Sequence, residues 1–306
     1  MQRGRWSFAA RRVALLAATA AATTALAAAP AAAGPAAPPA PPGPACDPPS
    51  LLEWLLGCAG GVLWAADLES DDLTDEFAVF ESDRVGSPLP VLVSEPALVR
   101  DGRQAVAFTI PAGGSRNEVV PRLDDLRPGD ELYFGFSTRL LPGFPVDAAW
   151  QVVVQWKNDG PGSPPLSLSV EEGEFVVDGG FGHPDGPKLF RQSLGPAVPG
   201  RWDDWVFRIR FSPDPAVGFV EVWRNGRPVL PRHAPPGGTL YPGDPSYLKI
   251  GYYRNPEIGT DGTVVFDTLR AATSFAGASR AGAPPGGEPA ESPGPATPST
   301  APSPAG

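Results

Sequence analysis

Three short stretches carry polar side chains where a β-strand would set them on one face. Arg116 and Glu118 are two residues apart in Ser115–Val119, and Gln155 and Lys157 are two apart around Trp156. In Tyr247–Arg254, Tyr247, Lys249, Gly251 and Tyr253 recur at every second position. Side chains of a strand alternate between its faces, so each set is predicted to share one. Phenols, an ammonium and a glycine in a row make a poor core stripe and a suitable floor for a polar groove. A guanidinium on such a floor grips a carboxylate with two parallel hydrogen bonds. A phenol, near pKa 10 in water, becomes a useful proton carrier only beside cations. Glycine inside a strand marks a place where a ligand or another backbone comes close. Taken singly, each stretch also reads as the ordinary wet face of a sheet, with a solvated ion pair and amphipathic tyrosines.

Other chemistry-bearing residues fit known patterns less well. Asp75, Glu76 and Glu81 suggest the carboxylate pair of a glycoside hydrolase, but a run of acids near a domain start reads equally as solvated surface. His183 sits in a Gly180–Pro184 loop and reads as a surface residue able to swing towards a groove; His233 lies in a proline-rich turn. Two cysteines and two distant histidines lack the spacing of a zinc site. No nucleophile elbow or phosphate-binding loop is present.

The elements that must position these residues are strands. Leu132–Leu140, Leu166–Val170, Glu174–Val177 and Val264–Leu269 read as strands. In the segment from Trp150 to Lys157, Trp150, Val152, Val154 and Trp156 are expected on one face. Gln151, Val153, Gln155 and Lys157 are expected on the other. Trp205, Phe207, Ile209 and Phe211 alternate with Val206, Arg208 and Arg210, a buried face opposite a wet one. Asn225-Gly226 between two strand patterns predicts a two-residue hairpin. Helical patterning is scarce, with Leu51–Leu56 the best short candidate. The expected fold is all-β: a two-sheet antiparallel sandwich of jelly-roll, concanavalin-like type.

The chain has 306 residues. Residues 1–33 carry Arg3, Arg5, Arg11 and Arg12, then an apolar run, then small residues, the layout of a secretory signal. Arg11-Arg12 also permits twin-arginine export. Residues 34–45 are a Pro/Ala-rich linker, residues 46–275 the expected domain, and residues 276–306 an expected disordered tail rich in Pro, Ser and Ala. Once the signal is gone, 20 basic and 34 acidic residues leave a net charge of −14. That balance argues against nucleic-acid binding, and no apolar stretch after the signal is long enough to span a membrane. The mature chain is therefore expected to be secreted and monomeric. Cys46 and Cys58 are expected to form a disulfide in an oxidising compartment. Leu55–Cys58 superficially resembles a lipidation box, but Glu53 and Trp54 break its apolar run.

In their order along the chain, Arg116-x-Glu118, Gln155-x-Lys157 and Tyr247-x-Lys249-x-Gly251-x-Tyr253 resemble the polysaccharide lyases of the alginate-lyase and heparin-lyase jelly-roll type. The likeness spans most of residues 65–270 and is nearest to the heparin-lyase-like branch. It implies β-elimination at a uronic acid of an anionic polysaccharide. That reaction needs a neutralised C6 carboxylate, a base for the C5 proton and an acid for the leaving oxygen. The resemblance assigns the carboxylate to Arg116 and Gln155, with Glu118 and Arg254 beside the substrate. It makes Tyr253 the catalytic tyrosine, its phenol tuned by Lys249. No cofactor is implied, and a structural calcium is compatible with the sequence. One departure stands out: the family has a histidine where this chain has Lys157. Either Tyr253 serves as both base and acid, or the chain keeps the groove as a non-catalytic carbohydrate-binding module.

Overall fold

The computed structural model describes residues 61–82 and 88–280. The expected signal, linker, Cys46–Cys58 disulfide and Leu51–Leu56 helix lie outside those residues, as does the tail from residue 281. The described residues form fifteen strands: β1 (Val62–Ala66), β2 (Phe77–Ser82), β3 (Val91–Val93), β4 (Ala105–Ile110), β5 (Arg116–Pro121), β6 (Glu131–Leu140), β7 (Gln151–Asn158), β8 (Leu166–Glu171), β9 (Glu174–Gly179), β10 (Phe190–Pro196), β11 (Trp202–Arg210), β12 (Phe219–Arg224), β13 (Arg227–His233), β14 (Ser246–Arg254) and β15 (Gly262–Ala272). They build two antiparallel sheets. One runs β10-β9-β8-β7-β14-β5-β2, and the other β13-β12-β11-β6-β15-β4-β3 with β1 also paired to β15. This is the expected sandwich.

The core lies between the sheets, and aromatic residues meet across it. Phe134 of one sheet stands edge-on to Trp156 of the other at 5.3 Å, and within one sheet Phe108 stands edge-on to Phe266 at 5.7 Å. Trp205, Phe207, Ile209 and Phe211 all point inward as their alternation requires. On the opposite face of β11, Arg208 bonds Glu131 and Glu221. Asn225 and Gly226 turn β12 into β13 with φ of 53° and 75°, the left-handed pair that a two-residue hairpin needs. The expected tail begins too early: Phe275–Ala278 forms one helical turn whose Gly277 and Ala278 are buried.

The hydrogen-bond register of the first sheet positions the polar rows. β14 lies between β5 and β7, pairing Tyr253 with Arg116 and Lys249 with Gln155. Two irregularities interrupt it. Between Ile250 and Tyr253 the pairing of β14 with β7 slips, and between Val152 and Val154 so does that of β7 with β8. The extra residue in β7 reverses that strand's alternation beyond it, whereas β14 keeps its own alternation through Gly251. Trp150 and Val152 therefore turn outward with Gln155 and Lys157, while Gln151 and Val153 turn inward, correcting the strict alternation expected for this strand.

Gly251 sits at the bulge with φ of 141°, and a Cβ there would lie 2.4 Å from the Asn117 carbonyl oxygen. The close approach is thus another backbone, that of β5, rather than a ligand. Gly251→Ala is expected to lower stability by about 1–3 kcal/mol from backbone strain alone, read as a reduced midpoint in urea unfolding. An unchanged midpoint would refute this account of the bulge.

Candidate active site

Two cross-strand rows meet on the outer face of the β14-containing sheet. In the first, register pairs Lys249 with Gln155, Gln155 with Ser167, Ser167 with Asp178 and Asp178 with Arg191. In the second, Arg116 on β5 faces Tyr253 on β14, and Tyr253 pairs with Val152. Both rows border a groove of about 570 Å³ that includes Arg116, Trp150, Gln155, Lys157, Asp178 and Tyr253 in its lining. A cavity of about 740 Å³ opens on the opposite sheet. Its charged centre, Asp204, is already held by Arg100 at two points and by Ser137, and neither polar row reaches it.

The electrostatic centre of the groove is Glu118, which is 2% exposed. Its Oε2 is 2.5 Å from Arg116 Nη1 and 3.1 Å from Lys249 Nζ, and its Oε1 accepts from Gln155 Nε2 at 2.5 Å. Glu81 on β2, one-third exposed, adds a second carboxylate 2.6 Å from Lys249 and 3.3 Å from Arg116. A buried carboxylate is tolerated only when charges and donors compensate it, and here the compensating groups come from β5, β7 and β14. The carboxylate resemblance placed beside the substrate is the one that holds the groove's cations in place.

Tyr253 is covered on its ring face by the Arg116 guanidinium, 3.9 Å from the ring centroid, and flanked by Trp150 at 5.0 Å. Arg116, rather than Lys249, is the cation in direct contact with this phenol. Lys249 is nearly enclosed and spent on Glu81 and Glu118. Lys157 donates to the Asn158 carbonyl oxygen at 2.7 Å, to Asn158 Oδ1 at 3.1 Å and to the Gly160 carbonyl at 3.0 Å. Burial first, then Lys249, holds its pKa below the ordinary lysine value, with Asp159 opposing. Tyr247 pairs with Lys157 in register, and burial followed by Glu81 raises its phenol pKa, so it keeps its proton.

Two expected residues lie elsewhere. Arg254 is fully buried on the inner side of β14, donating to the carbonyls of Gly114 and Pro111 and to the Tyr252 hydroxyl. The alternation that turns Tyr253 outward turns Arg254 inward, so it braces the strand and does not reach the groove. His183 packs edge-on against Tyr241 at 5.5 Å, and its Nδ1 accepts from the Asp185 amide, so it does not fill the place of the family histidine.

The sequence reading overlooked Trp150, Ser167, Ser169 and Asp178. The serines were legible as the polar half of Leu166–Val170. Asp178 Oδ1 accepts from both serine hydroxyls. Burial pushes its pKa up to about 6, against the lowering effect of those bonds. A raised carboxyl favours the protonated folded state, so Asp178 contributes stability below its ordinary value of 3.8 and loses it as pH rises through about 6. Asp178→Asn is therefore expected to raise the melting temperature at about pH 8, with the gain vanishing at about pH 4. Equal shifts at both pH values would contradict this.

The sequence model of the family described as "Polysaccharide lyase" matches residues 92–270. No curated protein matches the sequence. Among solved structures, an endo-β-1,4-glucuronan lyase from the fungus Trichoderma reesei superimposes with a TM-score of 0.57 at 16% identity, over 71% of this chain and 98% of that one. That likeness is one of fold. A family-7 alginate lyase gives a TM-score of 0.46 at 15% identity, over 59% and 82% of the two chains. With the match covering more than half of its length, this chain belongs to the polysaccharide lyase family.

Proposed function

We propose that the chain is an exported, monomeric lyase that cleaves a uronic-acid-containing polysaccharide by β-elimination without a cofactor. The observation that carries this reading is the convergence of Arg116, Gln155, Lys157 and Tyr253 on one open groove. The uronate carboxylate binds between Arg116 and Lys157. Lys157 exchanges its carbonyl partners for a charged one, a stronger, charge-assisted bond. Gln155 has committed one amide hydrogen to Glu118 and donates the other. With the carboxylate neutralised, the C5 proton is acidic enough to be removed.

Tyr253 then serves on both sides of the reaction. As phenolate, with the Arg116 guanidinium over its ring face, it takes the C5 proton. The electron pair forms the C4–C5 double bond, the C4–O4 bond breaks, and the phenol returns its proton to O4. The net proton movement is from C5 to O4, so no water or external acid is consumed. Lys249 acts through Glu118 as a positioning residue. The family histidine is not required in this scheme, because Lys157 supplies charge and Tyr253 supplies proton transfer.

The rival reading is a carbohydrate-binding module on the same sandwich. It draws on the fact that Glu118 and Glu81 already occupy Arg116. Incubation with glucuronan, alginate and heparin, monitored by ultraviolet absorbance of the unsaturated product, separates the two. Tyr253→Phe is expected to lower kcat by about 10²–10⁴-fold, the usual contribution of general acid–base catalysis, with glycan binding retained. Lys157→Met is expected to lower kcat/KM by about 10²-fold or more, as loss of a charge-stabilising donor does. Retention of all three glycans without product would leave the binding module and refute the lyase.

A further inference from the structure

The two ends of the groove differ in charge. Around Tyr253 lie Arg116, Lys157 and Lys249. Across β8, β9 and β10 lie Asp178 and Glu171, and the cation there, Arg191, is taken up by Glu171 at 3.1 Å, Glu172 at 3.5 Å and Glu174 at 3.8 Å. Asp178 is aimed in a particular way. Both serine hydroxyls converge on Oδ1, and Oδ2 accepts no hydrogen bond from the described residues. Asp178 is partly open and lines the groove. Phe181, 55% exposed, lines the same end and offers an apolar face for a sugar ring. Two strand spacings, about 10 Å, separate Asp178 from Gln155 along one row, a span of about two sugar rings.

We infer that Asp178 is a specificity residue. Its Oδ2 accepts a hydrogen bond from a free hydroxyl on the ring about two places from the one whose carboxylate Gln155 holds, selecting an unsulfated polyuronate and rejecting a sulfated glycan. A carboxylate oxygen is a strong acceptor for a sugar hydroxyl and cannot donate to a sulfate ester. Glu171, Glu172 and Glu174 deepen the repulsion, because Arg191 is their single neutralising partner among the described residues. A site built to receive one hydroxyl discriminates sharply against a group that cannot satisfy it. The inference rests on the glycan lying in this groove as proposed above.

The test compares glucuronan with chemically sulfated glucuronan, two probes of one backbone, using the parent protein and Asp178→Asn. Binding is read by affinity electrophoresis and turnover by ultraviolet absorbance. The asparagine oxygen still accepts from Ser167 and Ser169, and its amide offers a donor where the carboxylate repelled. The parent is expected to prefer the unsulfated chain by at least about tenfold, and the variant to lose most of that preference. An unchanged preference in a folded variant overturns the inference, and leaves the lyase reading intact if product still forms. An Asp178-dependent preference without any product supports the inference and refutes the lyase.

Discussion

The buried carboxylate of Glu118 is the constraint on which the groove depends. It has been removed from water and must be compensated, and the nearby groups able to do so are Arg116, Lys249 and the Gln155 amide. Those three lie on adjacent strands β5, β14 and β7. Satisfying one carboxylate therefore fixes three side chains relative to one another. Removing Lys249, the partner buried with it, would leave the carboxylate uncompensated, at a cost of about 3–5 kcal/mol for a broken buried pair. The arrangement is preorganised for an anion for the same reason that it is stable. Arg116 is held over Tyr253 by bonds to two carboxylates behind it and does not have to be recruited by substrate.

The sandwich was legible wherever one sheet face is apolar and the other wet. β11 is the clearest case, since Trp205, Phe207, Ile209 and Phe211 could point only inward. Asn225-Gly226 was legible because its two left-handed residues are a local requirement. Strands β2, β3 and β4 carry no such alternation: Ala105–Ile110 is almost continuously apolar because both of its faces are covered. The rows containing Arg116, Gln155, Lys157, Lys249 and Tyr253 were legible because each spans only two to four residues. Over so short a distance parity survives.

Where parity failed, a bulge intervened. The extra residue near Val153 moved Trp150 and Val152 onto the groove and Gln151 into the interior, where it accepts from the Tyr252 hydroxyl at 2.5 Å. No periodic pattern announces an inserted residue, because the insertion is a property of the pairing with the neighbouring strand. Arg254 failed for a simpler reason: a charged residue next to a candidate tyrosine looked like part of its site. Strand geometry instead sent it through the sheet to three backbone and hydroxyl acceptors. Asp178 was missed because its meaning lies in its neighbours. Alone it is an acid near a turn; opposite Ser167 and Ser169 it becomes a carboxylate with one oxygen tethered and one presented.

The replacement of the family histidine by Lys157 bears on how such a groove divides its labour. An imidazole can neutralise a carboxylate and exchange a proton near neutral pH, whereas an ammonium does the first well and the second only when strongly depressed. Burial and Lys249 do lower the pKa of Lys157, but three oxygen acceptors hold its hydrogens away from proton exchange. Charge compensation and proton transfer are thereby separated between two residues. In the proposed elimination, Lys157 and Arg116 set the acidity of the C5 proton, and Tyr253 moves it. Such a separation works only when elimination is syn, with C5–H and the leaving oxygen on the same side of the ring, since one phenol has to reach both.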